Sequence, residues 1–403
     1  MKRILLVCAL LFIFCRTEAQ PPLNQIHTYP SITEEDETVR YMMNCVSTDS
    51  LLHNIERLSS FHTRRWDSKY IFDVEEWLTK EYERYNFDSI YHHSFTVTDT
   101  INDVDNIIVL QRGTKYPDEY VVCGAHYDSY CNGNGHPDSL RAPGADDNAS
   151  GVAGIMEIAR ILSNYKFERS ILYCNFNAEE VGLYGSAAFA KECADNDVDI
   201  VGYLNLDMTG YLKDDTEMHV DLLYIDRDSL LGACFFNFAD IYYPEVPVYH
   251  TWIQHGDSDF SSFNRNGYAA IYPSEDVIYN SPYIHSIDDV IGLSVNNISQ
   301  SKLFTELVLG VVATIAGLDR TSIDEDIPIT MSIYPNPVDD HFYIQGDIVS
   351  VEIFNITGQK ILHEDDISVG RHRIDVSEWH KGVYIVCLKD KNGDRHSHKV
   401  VVK

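Results

Sequence analysis

Apolar and polar residues alternate along the central part of the chain in two different ways. Short apolar runs typical of strands occur at 106–110, 120–125, 171–176 and 201–206. Between them, 151–164 and 184–194 carry apolar residues at helical spacing. Strands that alternate with helices predict an α/β fold, with a mixed, mostly parallel sheet flanked by helices.

The same pattern places the limits of this domain. Helical spacing over 51–86, which includes Val74, Leu78 and Tyr82, predicts one or two helices in an N-terminal cap of residues 20–99. A long apolar helix is predicted over 298–317, ending at a glycine. We therefore expect the α/β domain to span 100–318, followed by an acidic, solvated linker over 319–330.

From residue 331 onward the pattern changes to short strands separated by turns. The strand-like runs lie at 350–355, 382–388 and 399–403. Turn signals stand between them, at Thr357-Gly358 and at 390–393. Together they predict a small all-β sandwich over 331–403.

The N-terminus predicts an export signal. Met1-Lys2-Arg3 is followed by an apolar run over 4–14 that is too short to span a bilayer. A small residue, Ala19, precedes the expected cleavage point, so 1–19 is predicted to be a signal peptide. A lipid anchor on Cys15 is disfavoured by the bulky Phe14, and no stable membrane insertion is expected.

Composition narrows the class of protein. The 403 residues carry a formal net charge of -31, which excludes a nucleic-acid partner, since phosphate contacts need Lys or Arg. Of the nine cysteines, Cys8 and Cys15 fall in the predicted signal peptide. The odd number that remains predicts at least one free thiol, and Cys123 and Cys174 are expected to be buried in strands.

Residues able to bind metal recur where the predicted strands end. The set is His126, Asp147, Glu179, Glu180, Asp207 and His285. Taken singly, Asp147 is equally well explained as a helix cap and His285 as a surface residue. Because the carboxyl ends of parallel strands meet at one edge, the ordered set predicts a site for two zinc ions with an open position for water. Asp128 is expected to orient the imidazole of His126.

Five segments carry a resemblance to a known family. They read GAHYDS, APGADDNASG, NAEEVGL, NLDMT and SPYIHS. With them, residues 100–318 resemble the bacterial leucyl aminopeptidase type of co-catalytic zinc exopeptidases. That family also includes glutaminyl cyclases and relatives of the transferrin receptor ectodomain.

The resemblance implies a role for each residue. Asp147 would bridge two zinc ions, His126 and Asp207 would complete one site, and Glu180 and His285 the other. Glu179 would act as general base, and the Asp147-Asn148 bond would be cis. His255 would fall where an oxyanion donor is expected, with a plain loop histidine as the equal alternative. His27, His92, His93, His396 and His398 lack such support and are expected at the surface.

Motifs in the C-terminal domain resemble a sorting signal. Tyr334-Pro-Asn-Pro, Phe354-Asn-Ile-Thr-Gly-Gln and Gly382-Val-Tyr are similar to the C-terminal sorting domain of cargo for the type IX secretion system. The resemblance implies that export machinery is a partner. It places the protein in the periplasm and then outside the cell or on its surface. The alternative is an ordinary β-sandwich that stabilises the protein or serves as a binding module.

The expected function is that of a secreted zinc aminopeptidase that acts on peptides with a free N-terminus. A dipeptidase or carboxypeptidase on the same fold is the nearest alternative. A glutaminyl-cyclase-like acyltransferase and a non-catalytic binding protein are further alternatives, but both predict changes in the site residues. The preferred N-terminal residue, the oligomeric state and the fate of the sorting domain stay open.

Overall fold

A computed structural model describes residues 27–97, 104–133, 136–252, 258–321 and most of 332–402. In the last range, 335–337, 339, 347, 366, 368–369, 391–392 and 394 are not among the described residues. The predicted signal peptide, His255 and most of the predicted linker also lie outside them.

An eight-stranded mixed sheet forms the centre of the N-terminal unit. Its strands are β1 (Ser89–Phe95), β2 (Val104–Gln111), β3 (Tyr116–His126), β4 (Arg169–Phe176), β5 (Asp199–Asn205), β6 (Val220–Tyr224), β7 (Val248–Trp252) and β8 (Ala270–Ser274). They lie in the order β1-β2-β4-β3-β5-β8-β6-β7. The four central strands β4, β3, β5 and β8 are parallel, as the pattern predicts.

Antiparallel pairs occur on both sides of the parallel centre, and the edge strand β7 runs parallel to β6. β2 runs antiparallel to both β1 and β4, and β6 runs antiparallel to β8. The connection 112–115 between β2 and β3 is too short for the helical crossover that two parallel strands of one sheet require. A strand-like run such as 106–110 therefore predicts a strand but not its direction.

Helices cover both faces of the sheet. They are α1 (Glu37–Asn44), α2 (Thr48–Ser60), α3 (Ile71–Tyr82), α4 (Gly151–Leu162), α5 (Tyr184–Asp195), α6 (Ser229–Tyr242), α7 (Phe260–Arg265) and α8 (Ile298–Ala316). Successive strand residues serve opposite faces. Val121 and Cys123 join the core under α4 and α8, whereas Val122 joins the core under α5 and α7.

The long apolar helix α8 is a core element. Its length and mean hydropathy of 1.3 would suit a membrane span, but 78% of the apolar window is buried inside the protein. It approaches α6 closely at Gly310, where a Cβ atom would lie 2.1 Å from Cζ of Phe238. Glycine at this position therefore lets the two helices pack together.

The C-terminal part is an all-β sandwich, as predicted. Its strands are β9 (Ser332–Tyr334), β10 (His341–Gly346), β11 (Ile348–Asn355), β12 (Lys360–Asp365), β13 (Gly370–Asp375), β14 (Gly382–Asp390) and β15 (Arg395–Val402). They form two antiparallel sheets, β13-β10-β9 and β12-β11-β14-β15. Side chains of both sheets, such as Phe342 and Val386, share one buried core.

Two details complete the comparison with the sequence. Asp319, expected to open the solvated linker, is buried, and its carboxylate accepts a hydrogen bond from the Thr114 hydroxyl. That part of the linker prediction is wrong, because the chain after α8 still packs on the N-terminal unit. The seven cysteines beyond the predicted signal peptide are free thiols, and Cys123 and Cys174 are fully buried, as expected.

Candidate metal centre

The candidate metal ligands come together at one edge of the sheet. His126 is the last residue of β3, Glu179 and Glu180 follow β4, and Asp207 follows β5. These three strands are parallel neighbours, so their carboxyl ends share an edge. The position of the cluster therefore follows directly from the sheet topology.

Asp147 lies at the centre of the cluster. It belongs to the irregular helical turn Ala145–Ser150 that precedes α4, and the peptide bond to Asn148 is cis, as the resemblance implies. Its Oδ1 lies 3.3 Å from Nε2 of His126, and its Oδ2 lies 3.1 Å from Nε2 of His285. The two oxygens of one carboxylate thus face two different imidazoles.

The remaining candidates divide between these two imidazoles. Nε2 of His126 lies 3.4 Å from Oδ1 of Asp207, and Nε2 of His285 lies 2.9 Å from Oε2 of Glu180. Glu179 offers an oxygen within 4.8 Å of the ligand atoms of His126 and Asp207. The structure therefore brings together all of the predicted side chains that lie among its described residues.

Two buried oxygens in this cluster lack a hydrogen-bond partner. They are Oδ1 of Asp207 and Oε1 of Glu180. The other oxygen of Asp207 accepts a hydrogen bond of 2.6 Å from the Ser258 hydroxyl, which orients the carboxylate. Since buried polar atoms in proteins are normally paired, two unpaired carboxylate oxygens within this cluster fit a bound cation.

The charges of the cluster support the same interpretation. Burial by itself lowers the pKa of His126, but Asp207 and Glu179 outweigh it and raise that pKa well above its usual value. Contacts with Asp147 and Glu180 raise the pKa of His285 to about 10. Without a cation, the surrounding carboxylates thus favour the protonated forms of His126 and His285. A bound metal would replace these protons, because it binds neutral imidazole.

Asp128 lies beside the imidazole of His126 and also binds neighbouring backbone groups. Its Oδ1 is 3.4 Å from Nδ1 of His126, too poorly aligned for a hydrogen bond, so its orienting role stays a prediction. The carboxylate also accepts the backbone N–H groups of Glu179 at 3.1 Å and Glu180 at 3.3 Å. One fully buried side chain therefore connects the end of β3 to the segment that follows β4.

Arg64 was not expected from the sequence to contribute to the site. It is completely buried, and its guanidinium donates to backbone carbonyls on two sides. Nε donates to the carbonyl of Tyr127 at 2.8 Å, and Nη2 to that of Gly144 at 2.8 Å. Nη1 donates to Pro143 at 2.5 Å. The side chain thus ties the segment after β3 to the loop that leads to Asp147.

The charge of Arg64 matters as well. Burial lowers the pKa of its guanidinium to about 10, partly opposed by Asp289, Asp128 and Asp147. It therefore stays charged at neutral pH and offsets part of the negative charge of the cluster. A basic residue in an N-terminal helical region gives no sequence signal for this role.

Asp289 is a second residue that sequence reasoning missed. Its Oδ1 accepts the backbone N–H of Asp146 at 2.9 Å, and its Oδ2 accepts that of Asp147 at 3.1 Å. Its position four residues after His285 in the SPYIHSIDD segment was the available signal. Asp289 therefore fixes the backbone of Asp147, the candidate bridging ligand, and of the residue before it.

Two histidine predictions need separate comment. His255 is outside the described residues, so its role as an oxyanion donor stays a prediction. His93, expected at the surface, is buried, with Nδ1 3.0 Å from Nδ2 of Asn106. That expectation was wrong because β1 is covered by α5, where His93 packs against Phe189.

An α/β sheet with histidines and carboxylates gathered at its carboxyl edge is typical of metal-dependent hydrolases. The chain belongs to peptidase family M28. The family model matches residues 106–304, and leucine aminopeptidase 1 of Trichophyton equinum is 30% identical over 290 residues, which cover 69% of this chain and 76% of that protein.

Solved structures agree on the fold. The LapA aminopeptidase of Legionella pneumophila has a TM-score of 0.62 at 24% identity, covering 73% of this chain and 78% of that one. Macrostomum lignano glutaminyl cyclase has a TM-score of 0.60 at 16% identity, covering 75% and 99%. Because proteins with these two names share the fold, the fold alone does not decide the reaction.

The C-terminal domain has its own match. Residues 332–403 match the model of the secretion system C-terminal sorting domain. The sorting domain predicted from its motifs is thereby confirmed.

Removing the Arg64 guanidinium should destabilise the catalytic unit strongly. Arg64→Met leaves the buried carbonyls of Tyr127 and Pro143 without their Arg64 donors and removes one of the two donors to the carbonyl of Gly144, a cost of the order of 3 kcal/mol or more. The stability of Arg64→Lys should lie between those of wild type and Arg64→Met, because lysine keeps the charge but loses the planar set of N–H donors. The free energy of unfolding of the full chain, from urea titration, measures both effects.

A matched control is Arg320→Met. Arg320 is 57% exposed and pairs with Asp36 at the surface, so its loss should change stability by at most about 1 kcal/mol. Equal losses for the Arg64 and Arg320 variants would contradict the role assigned to Arg64.

Proposed function

We propose that this chain is an exported aminopeptidase that removes N-terminal residues from peptides with the help of two zinc ions. The observation that carries the proposal is the placement of Asp147. Its two oxygens lie 3.3 Å from His126 and 3.1 Å from His285, the arrangement that a carboxylate shared by two cations requires. Membership of the peptidase family and the aminopeptidase relative support it.

The donor set favours zinc over calcium or magnesium. One site would use His126, Asp147 and Asp207, and the other Asp147, Glu180 and His285. Calcium and magnesium prefer oxygen ligands only, whereas an imidazole with carboxylates suits zinc. Bound there, zinc would supply a water of lowered pKa and a Lewis acid for the scissile carbonyl.

Glu179 is the proposed general base. Burial raises the pKa of its carboxyl well above the usual range, which suits a group that must accept a proton near neutral pH. Its backbone N–H is held by Asp128, so the side chain starts from a fixed position. Glu179 would take a proton from the attacking water and pass it to the leaving amine.

Selection of the N-terminus has a simple electrostatic basis. The substrate's α-ammonium is positive, and the cluster formed by Glu179, Glu180 and Asp207 is acidic. His285 is 38% exposed and marks the side of the cluster that faces solvent. A free N-terminus that enters from this side would be attracted by the carboxylates, whereas a blocked N-terminus has no charge and would lack this attraction.

Glu179→Gln should retain metal but lose about 10²- to 10⁴-fold in kcat, since the amide cannot accept a proton. Turnover of a peptide with a free N-terminus and metal content by elemental analysis provide the two measurements. Glu56→Gln, on the exposed face of α2, is the matched control and should leave both unchanged.

The same assay decides between the alternatives. Peptides with an acetylated N-terminus should resist cleavage by the native enzyme. Equal cleavage of free and acetylated peptides would contradict an aminopeptidase, and cyclisation of an N-terminal glutamine without hydrolysis would favour the glutaminyl-cyclase alternative. Full activity of Glu179→Gln would remove Glu179 from the mechanism.

Asp147→Asn should reduce the amount of bound zinc more than substitution of any other candidate ligand. An amide has only one oxygen and cannot serve two cations, so bound zinc should fall from two per chain to fewer than one. His285→Ala should lose only one. Zinc per chain after dialysis measures the difference, with circular dichroism to confirm folding. Retention of two zinc ions by Asp147→Asn would contradict the bridging role.

Export would use two successive signals, the predicted signal peptide and the sorting domain. Deletion of residues 332–403, which have their own buried core, should leave active enzyme inside a host that has the secretion system. Activity in cell fractions and culture medium measures this. Equal release of the full and shortened chains would show that the sorting domain is not needed.

A further inference from the structure

A buried hydrogen-bond network around the Tyr127 hydroxyl lies next to the candidate metal centre. Tyr127 directly follows His126 and is fully buried. Its hydroxyl oxygen lies 2.6 Å from the backbone carbonyl oxygen of Asp105, 2.9 Å from Oε1 of Glu75 and 2.8 Å from Nδ2 of Asn177. One phenol oxygen thus joins α3, β2 and the segment after β4.

The orientation of Asn177 is settled by its own neighbour. Oδ1 of its amide accepts the backbone N–H of Ala178 at 2.8 Å. The NH₂ group therefore points to Tyr127, and more distantly to Oε1 of Glu75 at 3.5 Å, and can only donate. One lone pair of the Tyr127 oxygen is occupied in this way.

Counting protons around Tyr127 then fixes the state of Glu75. A phenol has one proton, and the carbonyl of Asp105 can only accept. If Tyr127 donated to Glu75 instead, two acceptor oxygens would face each other at 2.6 Å without a proton between them. The Tyr127 proton must go to Asp105, so the hydrogen bond between Glu75 and Tyr127 needs a proton on Glu75.

We propose that Glu75 is a positioning residue of the active site, kept as a neutral carboxylic acid that donates a hydrogen bond to Tyr127. The peptidase role assigned to Glu75 rests on the proposed function, whereas its protonation state does not. Through Tyr127 it steadies the end of β3 that carries His126. Through Asn177 it steadies the segment that leads to Glu179.

The surroundings of Glu75 favour the neutral form. Its side chain belongs to the inner face of α3, and the residue is 5% exposed. Burial raises the pKa of Glu75 to about 7, and the charge of Asp105 adds to the rise, whereas the Tyr127 contact, the Asp105 backbone and His92 oppose it. The titratable groups that face Glu75 among the described residues are Tyr127, which follows β3, His92 in β1 and Asp105 in β2.

A bound cation is the competing explanation for the same side chains. Glu75, His92 and Asp105 offer ligand atoms within 4.8 Å of one another. However, both nitrogens of His92 have partners: Nδ1 lies 3.0 Å from Oδ2 of Asp105, and Nε2 lies 3.0 Å from Oγ1 of Thr79. A cation would also require Glu75 to be ionised, so the two explanations predict opposite protonation states.

Glu75→Gln separates them, because the amide still donates to Tyr127 but cannot ionise. In the native protein Glu75 holds its proton up to about pH 7, whereas in the unfolded chain it releases it near 4.5. The native state therefore binds more protons in this interval, and wild-type stability should fall as pH rises through it. The stability of Glu75→Gln should not show this decrease with pH. His92 and Asp105 remain in both proteins, so the difference isolates Glu75.

Two further readouts complete the test on the full chain. An infrared difference spectrum between wild type and Glu75→Gln should show the loss of one protonated-acid carbonyl band, a result that needs no enzymatic activity. Glu75→Ala should lower kcat about 10-fold or more with little change in KM, since small displacements of catalytic groups reduce turnover. Glu75→Gln should keep kcat near the wild-type value.

Several outcomes would overturn the proposal. Parallel stability curves for wild type and Glu75→Gln between about pH 5 and pH 8 would show that Glu75 is ionised throughout. Absence of the acid band, or loss of a metal equivalent in Glu75→Gln, would do the same and favour the cation. Unchanged kcat in Glu75→Ala would leave Glu75 without a positioning role. An inactive wild type with the expected band would instead reject only the peptidase function.

Discussion

Repulsion between buried carboxylates at the carboxyl edge of β3, β4 and β5 is the constraint on which the rest of this protein depends. Asp128, Asp147, Glu180 and Asp207 lie within a few ångströms of two imidazoles, in surroundings that exclude most water. Such charges are costly to bury unless each is paired. The structure meets this cost with backbone N–H donors, with a buried guanidinium and, as we propose, with two zinc ions.

The N-terminal helices belong to this arrangement even though the family match begins at residue 106. Arg64, between α2 and α3, holds the backbone on both sides of the cluster, and Glu75, in α3, contacts Tyr127 beside His126. Arg64 binds the backbone that presents the ligands, whereas Glu75 contacts the side chain of the residue next to His126. Among the described hydrogen bonds, neither residue bonds a candidate ligand side chain. The cap is therefore better regarded as part of the active-site scaffold than as a cover over it.

Function in this fold is decided by side chains and not by topology. An aminopeptidase and a glutaminyl cyclase superpose on the chain about equally well. The side chains on which our proposal rests are a carboxylate close to two histidines, Asp147, and a second carboxylate, Glu179, close to His126 and Asp207. These features favour hydrolysis, because a water must be both activated and deprotonated.

The sequence by itself determined the fold class, the β-sandwich and the candidate ligands. Local periodicity reports which residues are buried, and the rule that parallel strands end at one edge brings His126, Glu180 and Asp207 together. The family resemblance implied the shared position of Asp147, but only the tertiary structure decided that Arg64 and Asp289 hold its loop and that His93 is buried. Those contacts join residues far apart in the chain, and they depend on packing that no local pattern encodes.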